Sequence, residues 1–225
     1  MKPVYHNTIE QGTEEWHALR CGMLTASTMK LILTPTLKVA NNDKTRAHAW
    51  ELAAQRVTGY TEPTFINDAM LRGINDEPLA RDLYSEKYSP VTECGYITTE
   101  IEGFTVGYSP DGLVGDDGLI EVKSRSQKGQ IETIVSKSVP DEFVMQLQTG
   151  LLITGRKWID FISYCGGMPM FVLRVEPDDI IQDAIIKAIV DFESKVAEIV
   201  ENYSSAIIGL YPTERIERNL DIVIQ

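Results

Sequence analysis

Cysteine is scarce in this chain: Cys21, Cys94 and Cys165 are its three, far apart, odd in number and without a C-x-x-C spacing. The sequence therefore offers neither a disulfide framework nor a cysteine-ligated zinc site, and all three read as small buried thiols. No apolar run reaches the roughly 18 residues that a membrane-crossing helix needs. The opening Met1-Lys2-Pro3-Val4-Tyr5-His6 lacks the apolar stretch of a secretory signal, which predicts a cytoplasmic protein with no membrane partner. There is no internal repeat, no low-complexity tract and no break in composition that would mark a linker. With 43% hydrophobic residues, the 225 positions are read as one domain, 1–225.

Cations are also in short supply, 21 Lys and Arg against 33 Asp and Glu, for a net charge of −12. That balance argues against a polyanionic partner, because phosphate binding normally draws on an excess of basic side chains. The distribution weakens the objection. From Glu176 onward there are 11 acids and 4 bases, whereas residues 1–56 hold 7 bases and 5 acids. A polyanion would meet the N-terminal part and the stretch from Lys123 to Lys137. Clustered carboxylates are, in addition, the hard oxygen ligands that magnesium prefers.

Periodicity then places the elements. Thr13 followed by Glu14-Glu15-Trp16-His17-Ala18-Leu19-Arg20 predicts a short helix with a capping hydroxyl and acidic first turn, ended by Gly22. Trp16 reads as core and His17 as a packed histidine. Further helices are predicted over 25–33, over 43–57 with Gly59 closing it, and over 75–88. Pro78 is tolerable in the last only within its first turn, which would put Glu77 at a helix N-terminus. Strands are predicted at 91–99, 104–108, 119–123, 157–164 and 170–175, with an amphipathic helix at 141–153 and a long helix with an acidic outer face at 178–203. The order predicts a mixed α/β fold with one central sheet.

Two strand ends carry the chemistry. Gly107-Tyr108-Ser109-Pro110-Asp111-Gly112 leaves one strand through a Pro-Asp turn, and ten residues beyond Asp111 the next strand brings Glu121-Val122-Lys123. Alternation points Glu121 and Lys123 the same way and Val122 into the core, leaving the Val122 carbonyl near the carboxylates. Taken singly, Pro-Asp-Gly is ordinary turn chemistry and Glu-x-Lys a solvated pair. Taken together, charges inside the apolar run Leu119-Ile120-Val122 require a reason. Cleaving a phosphodiester needs an anionic centre neutralised, a water activated and a leaving oxygen stabilised, which two carboxylates holding magnesium can do. Lys123 would position or activate the water, and burial beside a metal would help keep it proton-poor.

The sequence resembles the PD-(D/E)xK nuclease superfamily, and within it the phage lambda exonuclease and YqaJ-type viral recombinase family. Four blocks carry the resemblance, in the family's order, between residues 10 and 175: Glu15-Trp16-His17-x-x-Arg20 with Thr25-Ala26-Ser27; Gly73-x-x-x-Glu77; Ser109-Pro110-Asp111-Gly112-Leu113 with Glu121-Val122-Lys123; and Gln146-Leu147-Gln148. The resemblance implies a restriction-endonuclease-like fold, a central mixed sheet flanked by helices. It implies that Asp111, Glu121, Glu77 and the Val122 carbonyl bind metal, with Lys123 the catalytic lysine. Mg2+ is the implied cofactor, with Mn2+ as a substitute and two ions in the site. Arg20, Ser27, Ser109 and Gln146 match the residues that hold a terminal 5′ phosphate, and their donors suit phosphate oxygens independently. Gln148 and Arg125 are assigned to DNA binding as well. Many relatives have Cys-Pro after the Glu-x-Lys where this chain has Ser124-Arg125, which leaves the following loop open.

The implied activity is a 5′ to 3′ exonuclease acting on double-stranded DNA ends for phage-type recombination. Relatives of this type form homotrimer rings, and a single-strand annealing protein is the implied partner. The competing readings are an endonuclease or repair nuclease of the same superfamily and a non-catalytic DNA-end-binding subunit. The tail 216–225, with Ile222, Val223 and Ile224, has an apolar tip that reads equally as packing on a neighbour or on its own body.

Overall fold

The computed structural model describes residues 2–63 and 67–216; the reading of the tail beyond Ile216 lies outside them. The described chain is mixed α/β, with its strands in two four-stranded ladders rather than one sheet. The first runs β1 (Val4–Tyr5), β3 (Ile97–Ile101), β4 (Phe104–Tyr108) and β2 (Leu24–Thr25). β1 and β3 are antiparallel, as are β3 and β4, whereas β2 is parallel to β4. The second runs β5 (Gly112–Val114), β6 (Gly118–Ser124), β7 (Trp158–Tyr164) and β8 (Phe171–Val175). Here only β6 and β7 are parallel. The division falls between β4 and β5, at Ser109-Pro110-Asp111, where Pro110 has no N–H with which to continue a ladder.

Helix boundaries follow the capping chemistry where caps are strong. α1 (Glu14–Arg20) starts at Thr13, whose hydroxyl accepts from the Trp16 N–H at 3.3 Å. α2 (Asp43–Thr58) starts at Asn42, which accepts from Lys44 and Thr45, and stops at Gly59 in the left-handed region (φ 63°). A side-chain cap of this kind contributes about 1 kcal/mol. α5 (Asp141–Thr154) and α6 (Asp179–Ala206) lie where periodicity puts them. The predicted helix at 25–33 is a shorter 3-10 helix, Ala26–Leu31, and the strand predicted at 91–99 is β3, displaced toward the C-terminus.

α3 departs most from expectation. It spans Asp68–Lys87, capped by Asn67, so Pro78 lies in its interior and Glu77 is mid-helix, not at an N-terminus. Pro78 cannot donate to the Ile74 carbonyl. Both residues are on the exposed side, where water can replace the missing donor. α4 (Gln127–Ser136) was not foreseen.

Alternation along β6 assigns its two faces. Leu119 joins the main core with Tyr108, Leu147, Leu151, Phe161 and Phe192, built by both sheets and by α2, α5 and α6. Ile120 and Val122 face the other way, onto Ala80 and Tyr84 of α3. Glu121 thus sits on the main-core side, 1% exposed, where an uncompensated charge would be strongly disfavoured. Cys94 and Cys165 are buried as expected, and Cys21 is only half-buried. Among the described residues no helix is long and apolar enough to cross a membrane.

Candidate active site

Asp111 follows directly on Pro110, and the Val122 N–H donates to its Oδ2 at 2.6 Å. That bond fixes the Pro-Asp turn against β6 and brings Asp111 beside Glu121. Glu121 Oε1 accepts from Lys123 Nζ at 2.7 Å and from the Gln146 amide of α5, and Oε2 accepts from the Tyr108 hydroxyl at 2.7 Å. Glu77 reaches the same cleft from α3, its Oε1 held by Arg81 at 3.0 Å. Arg81 also donates to the Asp111 carbonyl at 3.0 Å, so one guanidinium ties α3 to the turn.

The electrostatics are those of crowded carboxylates. Burial pushes the Asp111 carboxyl well above its ordinary range, and the neighbouring charges of Glu121 and Glu77 push it further. Burial raises Glu77 too, against the pull of Arg81. At Lys123 burial works to lower the ammonium, but the charges of Glu121, Asp111 and Glu77 outweigh it and leave it above the usual lysine value. The protein alone therefore keeps Lys123 protonated, and a proton-poor lysine would require added positive charge. Burial beside the Glu121 charge keeps the Tyr108 phenol protonated, so it donates.

The other end of the cleft is built from α1 and the 3-10 helix. Arg20 Nη1 donates to Ser109 Oγ at 2.9 Å, and Trp16 Nε1 donates to the same hydroxyl at 3.1 Å and to the Gly95 carbonyl at 3.2 Å. The guanidinium lies 4.0 Å from the Trp16 ring centre and 5.5 Å from that of Tyr96. Burial lowers its pKa, and among the described residues no carboxylate pairs with it. A desolvated guanidinium without an internal anion is a site prepared for an external one. Ser27 is exposed at the rim, its hydroxyl 3.1 Å from that of Thr25.

One cleft of about 350 Å³ collects Arg20, Ser27, Ser109 and Gln146 with Glu77, Asp111, Glu121, Val122 and Lys123. Two assigned residues fall outside it. Gln148 is buried, and its amide donates to the Glu176 carbonyl and accepts from the Asp178 N–H, which fastens α5 to the start of α6. Alternate positions on α5 turn apart, so Gln146 faces the cleft and Gln148 cannot. Arg125 is paired with Glu142 at 3.0 Å and lies over the Phe143 ring. Trp16, read as core, lines the cleft, and His17, read as packed, is exposed with an edge contact to Trp16. Tyr108 and Arg81 were missed, since a strand tyrosine and a surface-spaced arginine carry no chemical signal until their partners are known.

Among the described residues no group of three His, Cys, Asp or Glu side chains stands ready around one point for an ion. Each carboxylate is instead turned to an internal donor: Glu77 to Arg81, Asp111 to the Val122 N–H, Glu121 to Lys123, Gln146 and Tyr108. The donor set is all-oxygen and its negative charge is undercompensated, which fits a hard divalent cation once those contacts yield.

Residues 15–157 match the YqaJ-like viral recombinase domain, more than half of the chain and the whole of the cleft. The chain belongs to that family. Among solved structures, an alkaline exonuclease (LHK-Exo) from Laribacter hongkongensis is 35% identical, the match covering 88% of this chain and 100% of that one, with a TM-score of 0.78. The same exonuclease in complex with dAMP matches equally. A phage related exonuclease from Haemophilus somnus 129PT is 13% identical over 80% of this chain and 96% of its own, with a TM-score of 0.62, a likeness of fold alone. No match was found among curated proteins. The YqaJ-like assignment and these neighbours support a phage-type nuclease with a lambda-exonuclease-like fold.

Proposed function

We propose that the chain is a divalent-metal-dependent exonuclease that degrades one strand of duplex DNA from a 5′ end, leaving single strand for recombination. The observation that carries this reading is the sharing of one cleft by two unlike ends, a carboxylate group with Lys123 and, with hydroxyl and amide donors, a guanidinium that pairs with no carboxylate among the described residues. The likeness to an alkaline exonuclease, and to its complex with a nucleoside monophosphate, supports it.

Asp111, Glu121, Glu77 and the Val122 carbonyl would hold Mg2+ or Mn2+. A cation there supplies charge neutralisation at the scissile phosphate and makes a nearby water easier to deprotonate. The protein does the rest. Arg20, with Ser109 beneath it and Trp16 stacked on it, offers two parallel N–H donors to a terminal phosphate. Ser27 and Gln146 add neutral donors, and Gln146 also touches Glu121, so it joins the binding end to the reacting end. With the terminal phosphate seated, the next phosphodiester would lie toward Lys123, whose Nζ would orient the attacking water and exchange a proton with it.

The test is purified protein with Mg2+ on linear duplex bearing 5′-phosphate or 5′-hydroxyl ends, beside a nicked and a closed circle, with chelator controls. Loss of label from the 5′ end of linear duplex, no attack on the closed circle and silence with chelator are expected. Cutting of the closed circle would point to an endonuclease and defeat the exonuclease reading. Arg20→Ala is expected to cost about tenfold to a hundredfold on phosphorylated ends, the worth of a charge-assisted hydrogen bond, and much less on hydroxylated ones. Equal losses on both would remove Arg20 from the phosphate pocket.

A further inference from the structure

Glu121 is held from more directions than its neighbours. Its Oε1 accepts from Lys123 and Gln146, while its Oε2 accepts from Tyr108, which is 1% exposed, packs in the main core and borders the same cleft. Phenylalanine would fill the same core volume. The only hydrogen bond of the Tyr108 hydroxyl among the described residues is the one to Glu121.

The ring is itself pinned. Gly150 of α5 lies so near that a Cβ there would stand 2.9 Å from two of its carbons, closer than a side chain can come without displacing the ring. Gln146, one turn earlier on the same helix, reaches the opposite oxygen of Glu121. α5 therefore acts on both oxygens, on Oε1 directly and on Oε2 through the wedged tyrosine. The last torsion of a glutamate is broad and soft, so these two contacts decide how the carboxylate is turned to a ligand.

We infer that Tyr108 is a positioning residue of this site, retaining Oε2 of Glu121 and so fixing how that carboxylate is presented to a divalent cation, and that Gly150 is required for it to do so. The inference rests on the proposed metal-dependent function. Hydrogen bonds that orient a metal-binding carboxylate typically govern cation affinity by tenfold to about a hundredfold.

The measurement is calorimetric titration of Mn2+ and of Ca2+ into the whole protein without DNA, for wild type, Tyr108→Phe, Gly150→Ala and Glu121→Gln, with cleavage of linear duplex followed across Mg2+ concentration in parallel. Tyr108→Phe keeps the core volume and is expected to bind both cations about tenfold more weakly. Its Mg2+ requirement for cleavage should rise by a similar factor, with recovery of rate at saturating Mg2+. Gly150→Ala retains the hydroxyl but shifts the ring, and its cation affinity should fall in the same direction. If Tyr108→Phe binds Mn2+ like wild type while Glu121→Gln does not, the positioning role is overturned and the metal-dependent reading stands. If wild type binds neither cation, both fall together.

Discussion

Lys123→Ala is expected to bind duplex ends as the parent does and to cleave them about a thousandfold more slowly, in the middle of the range spanned by lost acid-base groups. Among the described residues Lys123 Nζ is the one cation within hydrogen-bonding distance of Glu121, at 2.7 Å, and it also sits 5.5 Å from the Phe143 ring centre, which with β6 limits where it can go. Removing it deletes one positive charge from a cleft that already holds Glu77, Asp111 and Glu121, which lessens the repulsion felt by a divalent cation. Tyr108 and Gln146 continue to satisfy Glu121. Calorimetric titration of Mn2+ into the variant shows whether a rate loss comes from a weakened cation site or from the missing lysine itself. Single-turnover cleavage and end-binding by gel shift separate cleavage from binding, and cleavage at the parental rate would withdraw the lysine from the mechanism. Lys123→Arg should not rescue, because a guanidinium stays charged and cannot exchange a proton at working pH.

β6 was legible because it violates its own pattern. Leu119, Ile120 and Val122 announce a buried strand, and Glu121 and Lys123 interrupt it on a single face, which is how both end in the cleft. α2, α5 and α6 were legible from periodicity and strong caps. What stayed hidden has physical causes. α3 buries only Ala80 and Tyr84 as fully core positions, and Met70, Leu71 and Ile74 in its first half are exposed, so a search for an apolar face starts the helix too late. α4 escapes notice because its inner face is polar. Gln130, wholly buried, donates to the Ser163 and Pro169 carbonyls and accepts from the Ser163 hydroxyl. β1, β2 and β5 have two or three residues each and exist only through their partners. Gln148 went astray for a related reason: a repeated Gln-x-Gln looks like one motif, while the helix sends its two amides to different tasks.

The turn that carries Arg20 rests on Arg56. Arg56, at the end of α2, meets both oxygens of Glu193 of α6, at 2.7 and 2.9 Å, and Glu193 is 1% exposed. Arg56 Nε donates to the Gly22 carbonyl at 2.8 Å, and Gln55 Oε1 accepts from the Gly22 N–H at 2.8 Å. Gly22 has φ 68°, and a Cβ on it would stand 2.7 Å from Arg56 Cγ, so the turn between Arg20 and Ser27 is moulded onto this arginine. Arg56→Ala leaves Glu193 charged, buried and unpaired, and is expected to cost about 3–5 kcal/mol of stability in chemical denaturation. The double variant Arg56→Met with Glu193→Leu removes both charges and should regain most of that loss, because a desolvated ion pair contributes little over apolar groups of like size. It would not regain the grip on Gly22. Once stability is restored, discrimination between phosphorylated and hydroxylated ends should remain weakened, since Arg20 hangs from a turn that has lost its clamp. A single variant within about 0.5 kcal/mol of wild type, the range of an ordinary surface change, would mean that water already reaches Glu193 and that α6 carries no part of the phosphate end.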